Sequence, residues 1–412
     1  MKKSTKNGLH NFHAEFQDVG SYSVDRPNSS LYNERAKITI IVPVYNVSGY
    51  IEQCINSLTQ QTLSDIEIIV VDDCGTDDSM TKVQKMANND KRITIVHNKE
   101  NQGLAESRNI GLKYVNSEYV GFLDSDDWVA TDFYEKLYNN IIKYKADIAV
   151  GDVLYYREHQ RTLTREWCSI WNFKSKKKVI TSPKDKQFNI YACACWNKLY
   201  KTSLFKDYAL KYPKGLKIED VPITIVSTIL ANKIVLVKDA VLYYRQRNDS
   251  IIAASSKNRT PFDIFKIYEY TDAILSRIEH INKKLYKEYK QIIDNFKIFN
   301  IYAWYLNTYP DYQPEFYQIM KDVFKKINIK SNPYIKRETR KNYKQVVSDN
   351  KINEILTYKL FNSILLGRLI RYNDFIKIYL FKHILIDKIK FNNQKSYHYL
   401  LGFIPILTVK RK

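Results

Sequence analysis

From Lys37 onward, short and continuously apolar runs alternate with amphipathic stretches. The runs "ITIIVPVYN" (38–46), "IEIIVVDD" (66–73), "RITIVHN" (92–98) and "YVGFLDSDD" (119–127) are rich in Ile and Val and lack the polar alternation of half-exposed strands. That is the pattern of strands buried on both faces. Between them, 48–62, 77–88 and 103–115 carry helical spacing with polar starts. The series predicts a βαβα unit, hence an α/β fold with a parallel sheet covered by helices on both faces.

After Asp147 the pattern loosens. A further strand is expected over 147–156, a basic loop around "KSKKK" (174–178), and a helix opening at "EDVPITIVSTILANK" (219–233) with Pro222 in its first turn. Residues 233–247 read as two short extended segments around a turn at Lys238 and Asp239. From about residue 260, large apolar residues recur at helical spacing among lysines, which predicts an all-helical C-terminal region. No internal repeat is expected. The reading gives three parts: a flexible N-terminal leader over 1–36, a catalytic α/β domain over 37–256 and a basic helical region over 257–412.

Charge sharpens this division. Of the net +21, +16 falls in residues 257–412, where 30 Lys and Arg stand against 14 Asp and Glu. A basic, aromatic-rich half predicts an anionic partner: a membrane surface, a phosphorylated substrate or nucleic acid. Segment 355–391 mixes large aliphatics with Lys and Arg all round, as an interfacial helix would; a helix packed on the catalytic domain is the alternative. That composition suits lipid better than a groove tracking phosphates, so nucleic acid is not expected. The five cysteines are odd in number and dispersed, without CxxC spacing, which points to a reducing compartment. The N-terminus lacks the apolar core of a signal peptide, and no window reaches the roughly 18 apolar residues of a membrane span. The protein is expected to stay in the cytoplasm.

Against this basic background, three acids crowd the end of the fourth apolar run, in "DSDDW" (124–128). Packed like charges raise one another's pKa unless a cation or donors compensate. Asp124 and Asp126 bracket Ser125, so an extended backbone sets both carboxylates on one side. That arrangement suits Mg2+ or Mn2+, which often take one or two carboxylates and complete their shell with substrate phosphates. Alone, such a triplet is also an ordinary solvated turn. The second run ends in Asp72 and Asp73, which precede the Thr76 or Asp77 helix cap and are not needed for it; an acid there can accept from a base or ribose. Gly103 permits a tight turn, and Arg108 follows one helical turn later with a fork suited to a diphosphate. In parallel sheets ligands bind at the carboxyl ends of the strands, where these clusters converge.

"PVYN", "VVDDCGTDDS", "NQGLAESRNIGL" and "FLDSDDW", followed by "WNKLYK" (196–201), "GLKIEDV" (215–221) and "YYRQRNDSI" (243–251), resemble in order and spacing the family 2 glycosyltransferases. These are inverting enzymes of the GT-A fold that use nucleotide-activated sugars. The resemblance covers roughly 37–252. It implies Pro43 and Tyr45 in the wall of the nucleobase site, Asp72 or Asp73 on the base, and Arg108 near the nucleotide. It matches Asp124 and Asp126 to the family's D-x-D pair, with Asp126 the direct metal ligand and Asp124 facing ribose or metal, and Asp220 of the Glu219–Asp220 pair to the catalytic base. Trp196 is either an acceptor platform or a core residue. Arg245 and Arg247 either close over the diphosphate or are surface cations. Cys74-Gly75 replaces the more usual Gly-Ser after the paired acids. The terminal "LLGFIPILTVKRK" (400–412) resembles tails of bacterial surface-polysaccharide enzymes, whose acceptors are often lipid-linked.

The implied function is transfer of a sugar, UDP-linked by expectation, with Mn2+ or Mg2+, to a hydroxyl of a glycan or lipid-linked acceptor at the inner face of a bacterial membrane. Two rivals stand against it. A sugar-nucleotide pyrophosphorylase would want a Gly-rich, lysine-bearing loop after the first strand, and "PVYNVSGYIEQC" is not one. An inactive membrane-binding scaffold would have no need of intact Asp124, Asp126 and Asp220.

Overall fold

The structure is a computed structural model describing residues 22–25, 36–158, 160–166, 168–172, 177–247, 258–281 and 283–348, together with six strands within 352–410. The chain divides into two compact units. The first comprises residues 1–254 and 263–296, and the second 255–262 and 297–412. The expected boundary near 256 lies at the first crossing between units, but Asp263–Phe296 groups with the first unit.

The first unit is built on one mixed sheet. Its strands are β1 (Tyr22–Asp25), β2 (Ile38–Val44), β3 (Ile66–Asp72), β4 (Ile93–Asn98), β5 (Tyr119–Phe122), β6 (Trp128–Val129), β7 (Ile148–Arg157), β8 (Thr162–Thr164), β9 (Val179–Ile180), β10 (Lys198–Lys201) and β11 (Ile234–Gln246). The path runs β1-β4-β3-β2-β5-β10-β7-β11-β6. Strands β4, β3, β2 and β5 are mutually parallel. Strand β10 inserts antiparallel between β5 and β7, and β11 lies parallel to β7. Two reversals restore the direction, so β2, β3, β4, β5, β7 and β11 all end on the same edge.

Complete burial of β2 follows from its continuous aliphatic run, sandwiched between helices. Helices α1 (Ile51–Thr59), α2 (Ser79–Asn89), α3 (Leu104–Lys113) and α4 (Phe133–Tyr144) fall where the periodicity placed the first three, and after β5 for the fourth. Helix α3 approaches β2 closely: a β-carbon at Gly111 would stand 2.6 Å from Ile41 Cγ2. The remaining helices of this unit are α5 (Pro183–Tyr191), α6 (Ser203–Lys206), α7 (Asp220–Leu230), α8 (Asp263–Ile281) and the first part of α9 (Lys283–Asn307). Tyr270 on α8 donates to the Lys211 carbonyl at 2.8 Å.

Three expectations are corrected. Tyr22–Asp25, assigned to the flexible leader, forms an edge strand on β4, and His97 on β4 pairs with Asp25. The open edge of β4 offers unpaired backbone groups that this segment satisfies. Residues 234–246 form one strand, not two segments around a turn; Lys238–Ala240 is a bulge, with the register against β7 resuming at Val241.

The third correction concerns the second unit. Its helices, the end of α9, α10 (Gln313–Lys325) and α11 (Arg337–Val347), agree with the helical expectation, but that expectation fails beyond them. Strands Ile352–Leu360, Ile364–Tyr372, Phe375–Leu380, Ile384–Asn392, Lys395–Leu400 and Ile404–Lys410 pair consecutively as an antiparallel meander, where an interfacial helix was expected over 355–391. Alternation of the "FIKIYL" kind has period two and favours a strand. A repeat is present too: Ile364, Ile384 and Ile404 open equivalent strands 20 residues apart, the first two after a Leu-Phe pair that begins four residues earlier and the third after Leu-Leu at 400–401. Among the described residues no helix is long and apolar enough to cross a membrane.

Candidate active site

Six strands deliver their ends to one edge, and the polar clusters follow those ends. Tyr45, directly after β2, is half exposed there, while Pro43 is buried within the strand. At the end of β3, Asp72 accepts the Cys74 amide at 3.0 Å on Oδ1 and pairs with His97 Nδ1 at 2.8 Å through Oδ2. Asp73 is buried, and both its oxygens are engaged: the amides of Gln102 and Gly103 donate at 2.7 and 2.9 Å, and Asn98 Nδ2 at 2.8 Å. Asp73 therefore fixes the loop that opens α3. Gly103, with φ of +83°, makes the turn that a β-carbon would strain.

Helix α3 carries Arg108 beneath the edge, where its side chain is 1% exposed. Its fork gathers three acids from two distant segments. Nη2 donates to Asp124 Oδ1 at 2.6 Å; Nη1 donates to Glu219 Oε1 at 2.6 Å and to Asp220 Oδ1 at 3.0 Å. The guanidinium also stands 5.3 Å from the centre of the Tyr212 ring. Asp220 opens α7, and its second oxygen accepts the Cys195 amide at 3.2 Å. Directly before the acid pair, Ile218 adopts φ of +65°, a left-handed conformation costly for a β-branched residue.

The D-x-D loop is tied down from the other side. Arg245 on β11 donates its backbone N–H to Asp127 Oδ1 at 2.8 Å, Nε to the Asp126 carbonyl at 2.9 Å and Nη2 to Gln53 at 2.5 Å. Its guanidinium lies 4.8, 4.7 and 5.6 Å from the ring centres of Tyr50, Trp128 and Tyr156. Arg245 is thus buried, and its Nη1 donates to Glu158 Oε1 at 3.2 Å. Arg247 pairs with Asp126 Oδ2 at 2.9 Å and faces Tyr50 at 4.9 Å. Ser125 is buried within the loop. Trp196 is buried and stacked on Tyr244 with ring centres 4.9 Å apart.

The electrostatics explain why three acids sit together. Burial, then the neighbouring Asp126 and Asp124, pushes Asp127 well above the usual carboxylate range. Burial raises Asp124 to about 6 against the pull of Arg108, and Glu219 likewise to about 6. Asp124, Asp126, Glu219 and Asp220 face Arg108 and Arg247. The all-oxygen donors of Asp124 and Asp126 suit Mg2+ or Mn2+. Among the described residues no group of three or more His, Cys, Asp or Glu is arranged to hold a metal by itself. A cation here would therefore need substrate oxygens to complete its shell.

Sequence reasoning missed the backing of the site: Cys195, Asn197 and Lys198, Asp127 as a buried anchor, and His97 beside Asp72. "CWNKLYK" was visible as a landmark, but nothing in it announces an amide aimed at Asp220.

The model of the family described as glycosyl transferase family 2 matches residues 39–209. The glycosyltransferase GlyA of Streptococcus pneumoniae serotype 4 is 34% identical over 225 residues, covering 52% of this chain and 31% of GlyA. The chain thus spans about a third of that relative's length. GlyG of the same organism is 28% identical over 271 residues, covering 62% of this chain and 89% of GlyG. The crystal structure of Staphylococcus aureus TarS 1–349 in complex with UDP-GlcNAc superposes with a TM-score of 0.56 at 23% identity, covering 82% of this chain and 97% of that one. That likeness establishes the GT-A fold. Residues 39–209 therefore match glycosyl transferase family 2, on the GT-A fold that the TarS likeness shows.

Proposed function

We propose that the protein transfers a sugar with inversion from a UDP-sugar to a hydroxyl of a glycan or lipid-linked acceptor in bacterial surface-polysaccharide synthesis. The observation carrying this reading is the convergence of Asp124, Glu219 and Asp220 on Arg108. A divalent cation held by these acids would in turn hold the diphosphate of a nucleotide sugar. The binding of UDP-GlcNAc by TarS, a protein of the same fold, supports a uridine nucleotide.

In this reading Tyr45 forms the outer wall for the base, with Asp73 beneath it. Asp73 accepts three hydrogen bonds and a carboxylate has about four acceptor sites, which leaves one for a base N–H. Asp126 and Asp124 would hold the cation; when bound, it supplies charge stabilisation to the departing diphosphate. Arg247 stands beside Asp126 and adds a second cation on the leaving-group side.

Asp220 receives the acceptor proton. Inversion is a single in-line displacement: the acceptor oxygen bonds to the anomeric carbon, the bond from that carbon to the diphosphate oxygen breaks, and the electron pair leaves with the diphosphate. Arg108 and the Cys195 amide each take one oxygen of Asp220 and fix its direction while leaving lone pairs to accept the proton. The basic charge of residues 257–412 supports an anionic membrane surface as the partner of this region. Incubating the protein with a nucleotide-sugar panel and Mn2+, and reading the product anomer by NMR, tests the reading. Inverted transfer from a UDP-sugar, lost in Asp220→Asn with UDP binding retained, supports it. Retention of configuration, or undiminished turnover in that variant, overturns it.

A further inference from the structure

One peptide plane connects Asp220 to a buried cation. Lys198, on β10, is fully buried, and its ammonium spends all three donors: on the carbonyls of Ala192 at 3.2 Å and of Ala194, and on Asn197 Oδ1 at 2.8 Å. Burial lowers the pKa of this lysine, as expected for a charge withdrawn from water. The Ala194 carbonyl that Lys198 holds and the Cys195 N–H that reaches Asp220 Oδ2 belong to the same peptide unit. In a planar trans peptide these two groups point in opposite directions, so anchoring one aims the other. A cation on the carbonyl also polarises the amide and strengthens its N–H as a donor.

The surroundings hold this plane in place. Thr224 on α7 donates to the Cys193 carbonyl at 3.1 Å. Asn197 Nδ2 donates to the Gly151 carbonyl at 2.9 Å, and the Gly151 amide donates to the Asn197 carbonyl at 2.8 Å, which locks the loop to β7.

We propose that Lys198 is a positioning residue for transfer, acting on the Asp220 carboxylate through the Ala194–Cys195 peptide. This rests on the reading of Asp220 as the base. A lysine kept only to satisfy these three acceptors would, when replaced, lower stability and leave kcat untouched.

The test is Lys198→Met and Lys198→Gln in the full chain. The expected Met variant folds, with a loss of stability from the three buried acceptors left without a donor, and keeps UDP affinity and donor KM within about twofold, while kcat falls about tenfold or more. Gln, a neutral donor to the Ala194 carbonyl, falls between them. In protein labelled with 15N at cysteine, the Cys195 amide proton moves upfield in the Met variant. A folded Met variant with wild-type kcat, or an unmoved Cys195 resonance, overturns the inference. Should Met fail to fold, wild-type kcat in the Gln variant overturns it equally. Asp220→Asn separates the two layers: if it is active, the base assignment falls and takes this inference with it. If it is inactive while Lys198→Met is fully active, only the inference falls.

Discussion

Arg108 and Asp220 stand 112 positions apart in the chain, yet Nη1 of the one lies 3.0 Å from Oδ1 of the other, and the same guanidinium holds Asp124 at 2.6 Å. A buried cation shared by three acids is structural as well as functional. Arg108→Met strands those carboxylates without a partner, and the expected loss is about 3–5 kcal/mol of unfolding free energy. Arg108→Lys keeps the charge but cannot span both segments. Denaturant titration should place Lys between Met and wild type, with transfer strongly reduced in both; a wild-type midpoint for Met would refute the bridging role.

Arg245 divides its contacts among Asp126, Asp127, Gln53, Glu158 and three aromatic rings. Its side chain grips the loop from beneath, so Arg245→Met should loosen Asp126 while the backbone bond to Asp127 persists. A rise in donor KM of about tenfold, larger than any fall in kcat, is the expected kinetic signature. An unchanged donor KM would leave Arg245 without a role in the loop.

Gly111 offers a test of sign. In a helix, Gly→Ala normally stabilises by about 1 kcal/mol. Here the added methyl would sit 2.6 Å from Ile41 Cγ2, and overpacking costs about 1–3 kcal/mol. Gly111→Ala should therefore lower the melting temperature and, by lifting α3 from β2, weaken UDP binding by displacing Arg108. A raised melting temperature would show that β2 yields at no cost.

Asp90 and Arg92 give a pH signature away from the site. Burial pushes Asp90 up, but hydrogen bonds from the Arg92 side chain and backbone outweigh it and hold the carboxyl below its ordinary 3.8. A depressed folded-state pKa contributes stability that is present above the unfolded value and lost as pH falls through the folded one. Asp90→Asn should cost about 1 kcal/mol or less at pH 7, and the difference should vanish below the folded-state pKa. A difference that persisted undiminished in acid would assign it to packing instead.

Much of the first unit was legible because β2, β3 and β4 are buried on both faces and write their aliphatic runs without interruption. The same runs located the acids, since the residue after a buried strand is where polarity returns. Arg245 was not legible: an arginine in a strand reads as exposed until Tyr50, Trp128 and Tyr156, scattered over more than a hundred positions, are known to surround it. Residues 352–410 misled because isoleucine and lysine interleaved over short spans satisfy helical and strand spacing alike. The 20-residue recurrence of Ile364, Ile384 and Ile404 carried the correct answer. Lys198 escaped notice because its influence passes through backbone atoms that every sequence possesses.

Ile218 is the place where robustness and turnover are set against each other. Holding a branched side chain in that left-handed conformation costs about 1–2 kcal/mol, which the rest of the fold must offset. Glycine would release that tension and let Glu219 and Asp220 wander. A search for heat-tolerant variants would find such a relaxation attractive and would harvest a sturdier but slower catalyst.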